Sequence, residues 1–217
     1  MTQILAISEH ITTFRQVEEK LGLSLSDEPD FFLEWQEALP DLKTAERSRL
    51  DAVRKNYLYQ ISDGALLEET IKLVILSPLL ELAGFYSTPY KFRAEVSVEI
   101  EALGDDDEVL RGRIDGLVLL EQLWIVVIES KKTTFDLEMA LPQTLAYMAA
   151  SPRPELPLYG MVANGSSYLF VKTLADSPKE RLRQRYGVSD LFGTRSQSHN
   201  NLYEVLKILK HLGGLLT

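Results

Sequence analysis

The 217-residue sequence has no cysteine. That excludes disulfides and thiolate metal sites and fits a reducing compartment, so a cytoplasmic location is expected. Histidine is sparse. His10, His199 and His211 are scattered and lack the spacing of zinc ligands. There is no Gly-x-Ser-x-Gly nucleophile elbow. There is no Gly-x-x-x-x-Gly-Lys-[Ser/Thr] phosphate loop either, so any ATP-driven motor must come from another protein or be absent. No apolar run approaches the roughly 18 residues of a membrane span. The opening MTQILAISEH lacks a basic stretch followed by an apolar core. Neither a secretory signal nor a membrane partner is expected. Positive charge is in deficit as well: 23 Lys and Arg stand against 32 Asp and Glu, a net charge of −9. Nucleic-acid binding by the whole surface is disfavoured, because counterion release needs clustered cations. A local basic cleft remains open. The densest basic stretch holds Lys179, Arg181, Arg183 and Arg185, a pattern that also suits a solvated loop or helix face.

What is present is an ordinary globular composition, 45% hydrophobic and 25% charged, at a length that suits one domain with an added piece. Residues 1–64 read as a helical extension. Apolar residues recur at three- and four-residue spacing over Thr12–Leu21, Phe31–Ala38 and Thr44–Tyr59, interrupted by Pro40. Residues 65–217 read as an α/β core. Ala65–Ala83 predicts a helix kinked at Pro78 and stopped at Gly84. Phe92–Ile100 alternates as a half-buried strand. Asp105-Asp106-Asp107-Glu108 suits a hairpin turn and lacks the ligand alternation of a calcium loop. Val109–Leu119 is a second strand. After a Glu121-Gln122 turn comes Leu123–Glu129, apolar enough to be buried on both faces. A helix over Asp136–Ala150 follows, then two strands around the Asn164-Gly165 turn and a last helix over Asn201–Leu212. The order predicts a three-strand meander, a helical crossover and a fourth strand inserted into a mixed sheet.

Two strand ends carry the chemistry. Asp115 stands between Ile114 and Gly116, and Ile128-Glu129-Ser130-Lys131 closes the next strand. Side chains two apart on a strand share a face, so Glu129 and Lys131 point the same way and Asp115 can come beside them. Two carboxylates and an ammonium together suit Mg²⁺ or Mn²⁺ and phosphodiester hydrolysis. Charged strand ends in water are the plainer alternative. Gln143 and Tyr147, four apart on the following helix, share one face. Glu69 is in line with Leu73, Leu76, Leu80 and Ala83 and is expected to face inward, whereas Glu68 in line with Lys72 reads as solvated. Trp35 and Trp124 read as packing residues.

These residues resemble the PD-(D/E)XK nuclease superfamily. Asp115 matches its metal-binding Asp, Glu129 and Lys131 its second half-motif, and Gln143 with Tyr147 the Gln-x-x-x-Tyr element of RecB-type members. Glu69 is similar to the helix-borne acid that precedes the meander. Residues 65–173 look like the N-terminal nuclease domain of type I restriction-enzyme R subunits. The resemblance implies a restriction-endonuclease-like mixed sheet flanked by helices, with Asp115, Glu129 and the Ser130 carbonyl holding Mg²⁺ or Mn²⁺. Asp115, Glu129, Lys131 and Glu69 would be catalytic, and Gln143 and Tyr147 supporting. It implies cleavage of nucleic acid, with DNA expected. A protein partner supplying a motor or specificity, and an oligomer, are compatible with it. The rival expectations are an inert nuclease-fold binding module, and an interaction protein that assembles through its N-terminal helices.

Overall fold

A computed structural model describes residues 3–102, 108–121, 123–175, 184–195 and 199–215. The Asp105–Asp107 turn, Gln122, and Lys179, Arg181 and Arg183 lie outside the described residues. The fold is α/β: a nine-stranded mixed sheet flanked by helices.

Strands β1 (Gln3–Ala6) and β2 (Leu23–Leu25) precede the meander of β3 (Tyr90–Glu101), β4 (Glu108–Leu120) and β5 (Leu123–Ser130). β6 (Leu158–Ala163), β7 (Ser167–Ala175), β8 (Gln184–Val188) and β9 (Phe192–Gly193) follow. The order across the sheet is β1-β4-β5-β6-β7-β8-β2, with β3 on the other edge of β4 and β9 on β7. As expected, β3, β4 and β5 are antiparallel neighbours and β6 runs parallel to β5. The crossover between them is a 3-10 turn, Leu137–Ala140, leading into a helix over Leu141–Ala149. Asp136 caps it by accepting from the Glu138 backbone N–H. Gly165, at φ +76°, makes the β6–β7 turn. A Cβ there would approach the Tyr57 ring to 2.8 Å, so the turn needs glycine for backbone and space alike.

The N-terminal segment is only partly helical. Short helices α1 (Ile7–His10) and α2 (Phe14–Leu21) and the long α3 (Thr44–Gln60) are present. However, β1 and β2 join the same sheet as the later strands, in parallel with β4 and β8. Phe31–Ala38 forms turns and not the expected helix. Phe31 and Phe32 are both buried and join the same core from these turns. Residues 3–64 therefore share strands and both apolar cores with the rest.

Those two cores lie on opposite faces of the sheet. One takes Met161, Ile128 and Val118 against α3, the helix pair after it, and the C-terminal helix (Leu202–Gly214). The other takes Val127, Val162 and Leu117 against α1, α2 and the crossover helix. β5 is buried on both sides, as its unbroken apolar run predicts. The helix expected over Ala65–Ala83 runs as α4 (Glu68–Ile71), a π turn (Lys72–Leu76) and α5 (Ser77–Leu82). Pro78 has no N–H for the preceding turn, and the widened π turn absorbs the mismatch. We label the C-terminal helix α7 and the crossover helix α6.

Candidate functional site

The site is built where β4 parts from its neighbours. One edge of β4 pairs with β5 over Gly116–Leu120 and with β1 over Glu108–Arg111, leaving Asp115 in the gap between. Opposite it, Glu95 of β3 has φ +55°, a left-handed conformation unusual for a side chain with a Cβ. The face alternation slips here. Leu117 and Leu110 both join the α6-side core, although strict alternation would separate odd from even positions. Asp115 is therefore not brought beside Glu129 by simple strand parity, as the sequence suggests. It reaches the gap between strands, and its Oδ2 accepts the Ser130 backbone N–H at 2.7 Å. That bond ties the middle of β4 to the residue next to Glu129.

Glu129 and Lys131 turn toward α6. Glu129 is 3% exposed. Its Oε1 accepts from Lys131 Nζ at 2.7 Å, while Oε2 is buried with no hydrogen bond. Burial pushes the Glu129 carboxyl up to about 7. Lys131 pulls it back, and the Asp115 and Glu68 charges push it further up. Lys131 Nζ also donates to Gln143 Oε1 at 3.2 Å, and Gln143 Nε2 donates to the Tyr147 hydroxyl. The Arg113 backbone bonds that hydroxyl too, and burial pushes it up to about 12. A chain of contacts thus runs from Glu129 through Lys131, Gln143 and Tyr147 back to β4, two residues before Asp115. Gly112 makes room for it, because a Cβ there would stand 2.5 Å from the Tyr147 ring.

The opposite wall carries a residue that the sequence reading did not single out. Lys72 Nζ donates to Asp115 Oδ1 and to Glu69 Oε1, each at 2.9 Å, and lies 3.6 Å from Glu95 Oε1. Burial works against its ammonium, but these bonds to Glu69 and Asp115 outweigh burial and raise its pKa. Arg113 pairs with the other Glu95 oxygen at 2.6 Å. Glu69 does not face inward as expected: its side chain is 78% exposed, and Leu73 in line with it is exposed as well. The buried stripe is Ile71, Ile75 and Leu79, and Glu68 heads it. Of the two acids, Glu68 is the one whose charge is felt at Glu129. The signal was the spacing Glu68-Ile71-Ile75-Leu79, an apolar stripe of its own beside the one that starts at Glu69.

The site residues therefore converge, but in two halves. Asp115, Glu129, Lys131, Gln143 and Tyr147 belong to one bonded network, and Glu69 meets it through Lys72. A cavity of about 270 Å³ opens beside Asp115 and Ser130 on the α5 side. Among the described residues, no group of three or more His, Cys, Asp or Glu side chains forms a ready metal cage. Mg²⁺ does not require one, since one or two carboxylates with waters and substrate phosphate are its usual set. The unpartnered Glu129 Oε2 and the neighbouring Asp115 fit that donor chemistry. No helix among the described residues is long and apolar enough to cross a membrane. The chain matches no family model, and a search of curated proteins finds no match.

Proposed function

We propose that this protein is a divalent-metal-dependent nuclease, restriction-endonuclease-like, that hydrolyses phosphodiester bonds of nucleic acid, with DNA the expected substrate. One observation carries the reading: a buried carboxylate with an unpartnered oxygen, Glu129, is bonded to Lys131 and feels the charge of Asp115. Leaving that oxygen bare costs about 1–3 kcal/mol or more, a cost that a cation would offset. Asp115 and Glu129 would hold the ion, with the Ser130 carbonyl as a third ligand. When bound, it supplies positive charge against a phosphodiester and lowers the pKa of water.

The chain's own groups have separate tasks. Lys131 has three N–H donors; Glu129 and Gln143 take two, leaving the third for a phosphate oxygen. Gln143 and Tyr147 fix where that ammonium points, so little reorganisation is needed as charge develops. The Ser130 N–H holds Asp115 in the gap.

A second reading has an observation of its own. The Lys72 ammonium already sits on Asp115 Oδ1, and a lysine held there would leave a nuclease fold that binds without cutting. The two are separated by plasmid nicking with Mg²⁺ and with Mn²⁺. Wild type is expected to nick. Lys131→Ala is expected to lose about 10²- to 10³-fold while keeping its fold. A wild type that cuts neither DNA nor RNA would favour the inert module, and a mutant as active as wild type would remove Lys131 from the mechanism.

A further inference from the structure

The cavity beside Asp115 has walls that phosphate chemistry leaves unused. Leu76, Leu80, Phe92 and Ile128 line it, and Tyr86 joins them. The Phe92 and Tyr86 rings meet edge to face, centroids 5.4 Å apart. Gly116 permits the Phe92 position, since a Cβ on it would come within 2.8 Å of that ring. Ser130 also lines the space, and its buried hydroxyl has no hydrogen-bond partner. Glu69, Glu95 and Asp115 add negative charge to the lining, and Lys72, paired with all three, offsets only part of it.

We propose that this cavity receives one unpaired nucleobase of the substrate strand, next to the phosphate at Asp115 and Glu129, so that the substrate is single-stranded or locally unpaired nucleic acid. The inference rests on the nuclease reading above. The acids in the lining repel a second phosphate, so the group that enters from the strand is its uncharged part. Aromatic and aliphatic walls replace the hydration of a base's flat faces, and they do so for any base. The Ser130 hydroxyl can turn to donate or accept, which matches one polar atom on either kind of base edge. A base within a duplex is stacked on both faces and paired along its edge, and it enters only if extruded.

Ala94 lines the cavity from an exposed position on β3, so enlarging it fills the space without disturbing either core. The test is fluorescence anisotropy in EDTA, where no cutting occurs. The probes are a labelled short oligonucleotide, its duplex, and the same strand with abasic sites. Wild type should bind the single strand about tenfold tighter than the duplex. Ala94→Phe should lose about that factor for the single strand alone. The abasic strand, which needs no variant, should bind wild type as weakly as the base-bearing strand binds Ala94→Phe. Preference for duplex, an abasic strand bound as well as the intact one, or an unaffected Ala94→Phe overturns the inference. If duplex is then nicked with Mg²⁺, the nuclease reading survives without it. If no nucleic acid is bound or cut, both fall.

Discussion

The two walls of the site are built on different physics. On the α6 side, Glu129 is almost wholly buried and Lys131 mostly so, and each contact is a hydrogen bond to a group fixed by a strand or a helix. On the α4 side, Lys72 holds Asp115, Glu69 and Glu95 in a partly open ion-pair cluster, with Glu69 mostly in solvent. Charges in water are screened and their pairs are worth little, whereas a buried charge is perturbed strongly and cannot be removed without consequence. The α6 wall is therefore suited to hold a fixed geometry. The α4 wall is suited to exchange its partners when a cation or a phosphate arrives. Loss of the Lys131 ammonium, the nicking test above, is the largest blow to the rigid wall.

The next effect is on stability. Glu129 has its carboxyl raised from 4.5 to about 7 in the folded state. The folded protein therefore binds this proton more tightly than the unfolded chain. The stability it contributes is fully present below about 4.5 and is lost as pH rises through about 7. Glu129→Gln, still able to accept from Lys131, should lack that loss. In urea melts from pH 4 to pH 8, wild type should weaken by on the order of 2 kcal/mol relative to the variant. Parallel pH profiles would mean that Glu129 is not perturbed by burial.

On the open wall, Lys72→Met should tighten Mn²⁺ binding about fivefold at low salt, since an ammonium on Asp115 repels the ion through a partly screened path. Titration calorimetry reads this directly. Weaker binding in the variant would instead make Lys72 a support that holds Asp115 in place. The smallest effect separates the two helix acids. Glu68→Gln should lower the Glu129 carboxyl's apparent pKa by less than about one unit, and Glu69→Gln should leave it unmoved. Infrared titration of the carboxyl band distinguishes them, and the reverse order would restore Glu69 as the inward acid.

The parts of this architecture that were legible in the sequence are those specified locally. The alternation of Phe92–Ile100, the apolar run before Glu129 and the Asn164-Gly165 turn gave the meander, the buried strand and the hairpin. So did the Gln143–Tyr147 spacing, which placed both side chains on the face that reaches Lys131. What stayed hidden depends on distant partners. β1 is four residues long and exists through pairing with Glu108–Arg111. β2 is shorter still and pairs with β8. Glu68 and Glu69 each head an apolar stripe on a helical wheel, and only tertiary packing decides that the stripe led by Glu68 faces inward. Lys72 read as a surface partner of Glu68; its bond to Asp115 spans 43 residues. The slip at Glu95 and Asp115 replaced strand parity with a backbone hydrogen bond from Ser130.

The central claim is that Asp115 and Glu129 together hold a divalent ion. A thermal melt with and without millimolar Mn²⁺ tests it most directly, comparing wild type with Asp115→Asn/Glu129→Gln. An ion that binds only the folded state raises the midpoint by mass action, about 2–5 °C if its concentration exceeds the dissociation constant about tenfold. That rise should be present in wild type and absent in the double variant. Equal rises in the two proteins would place the ion elsewhere and contradict the account.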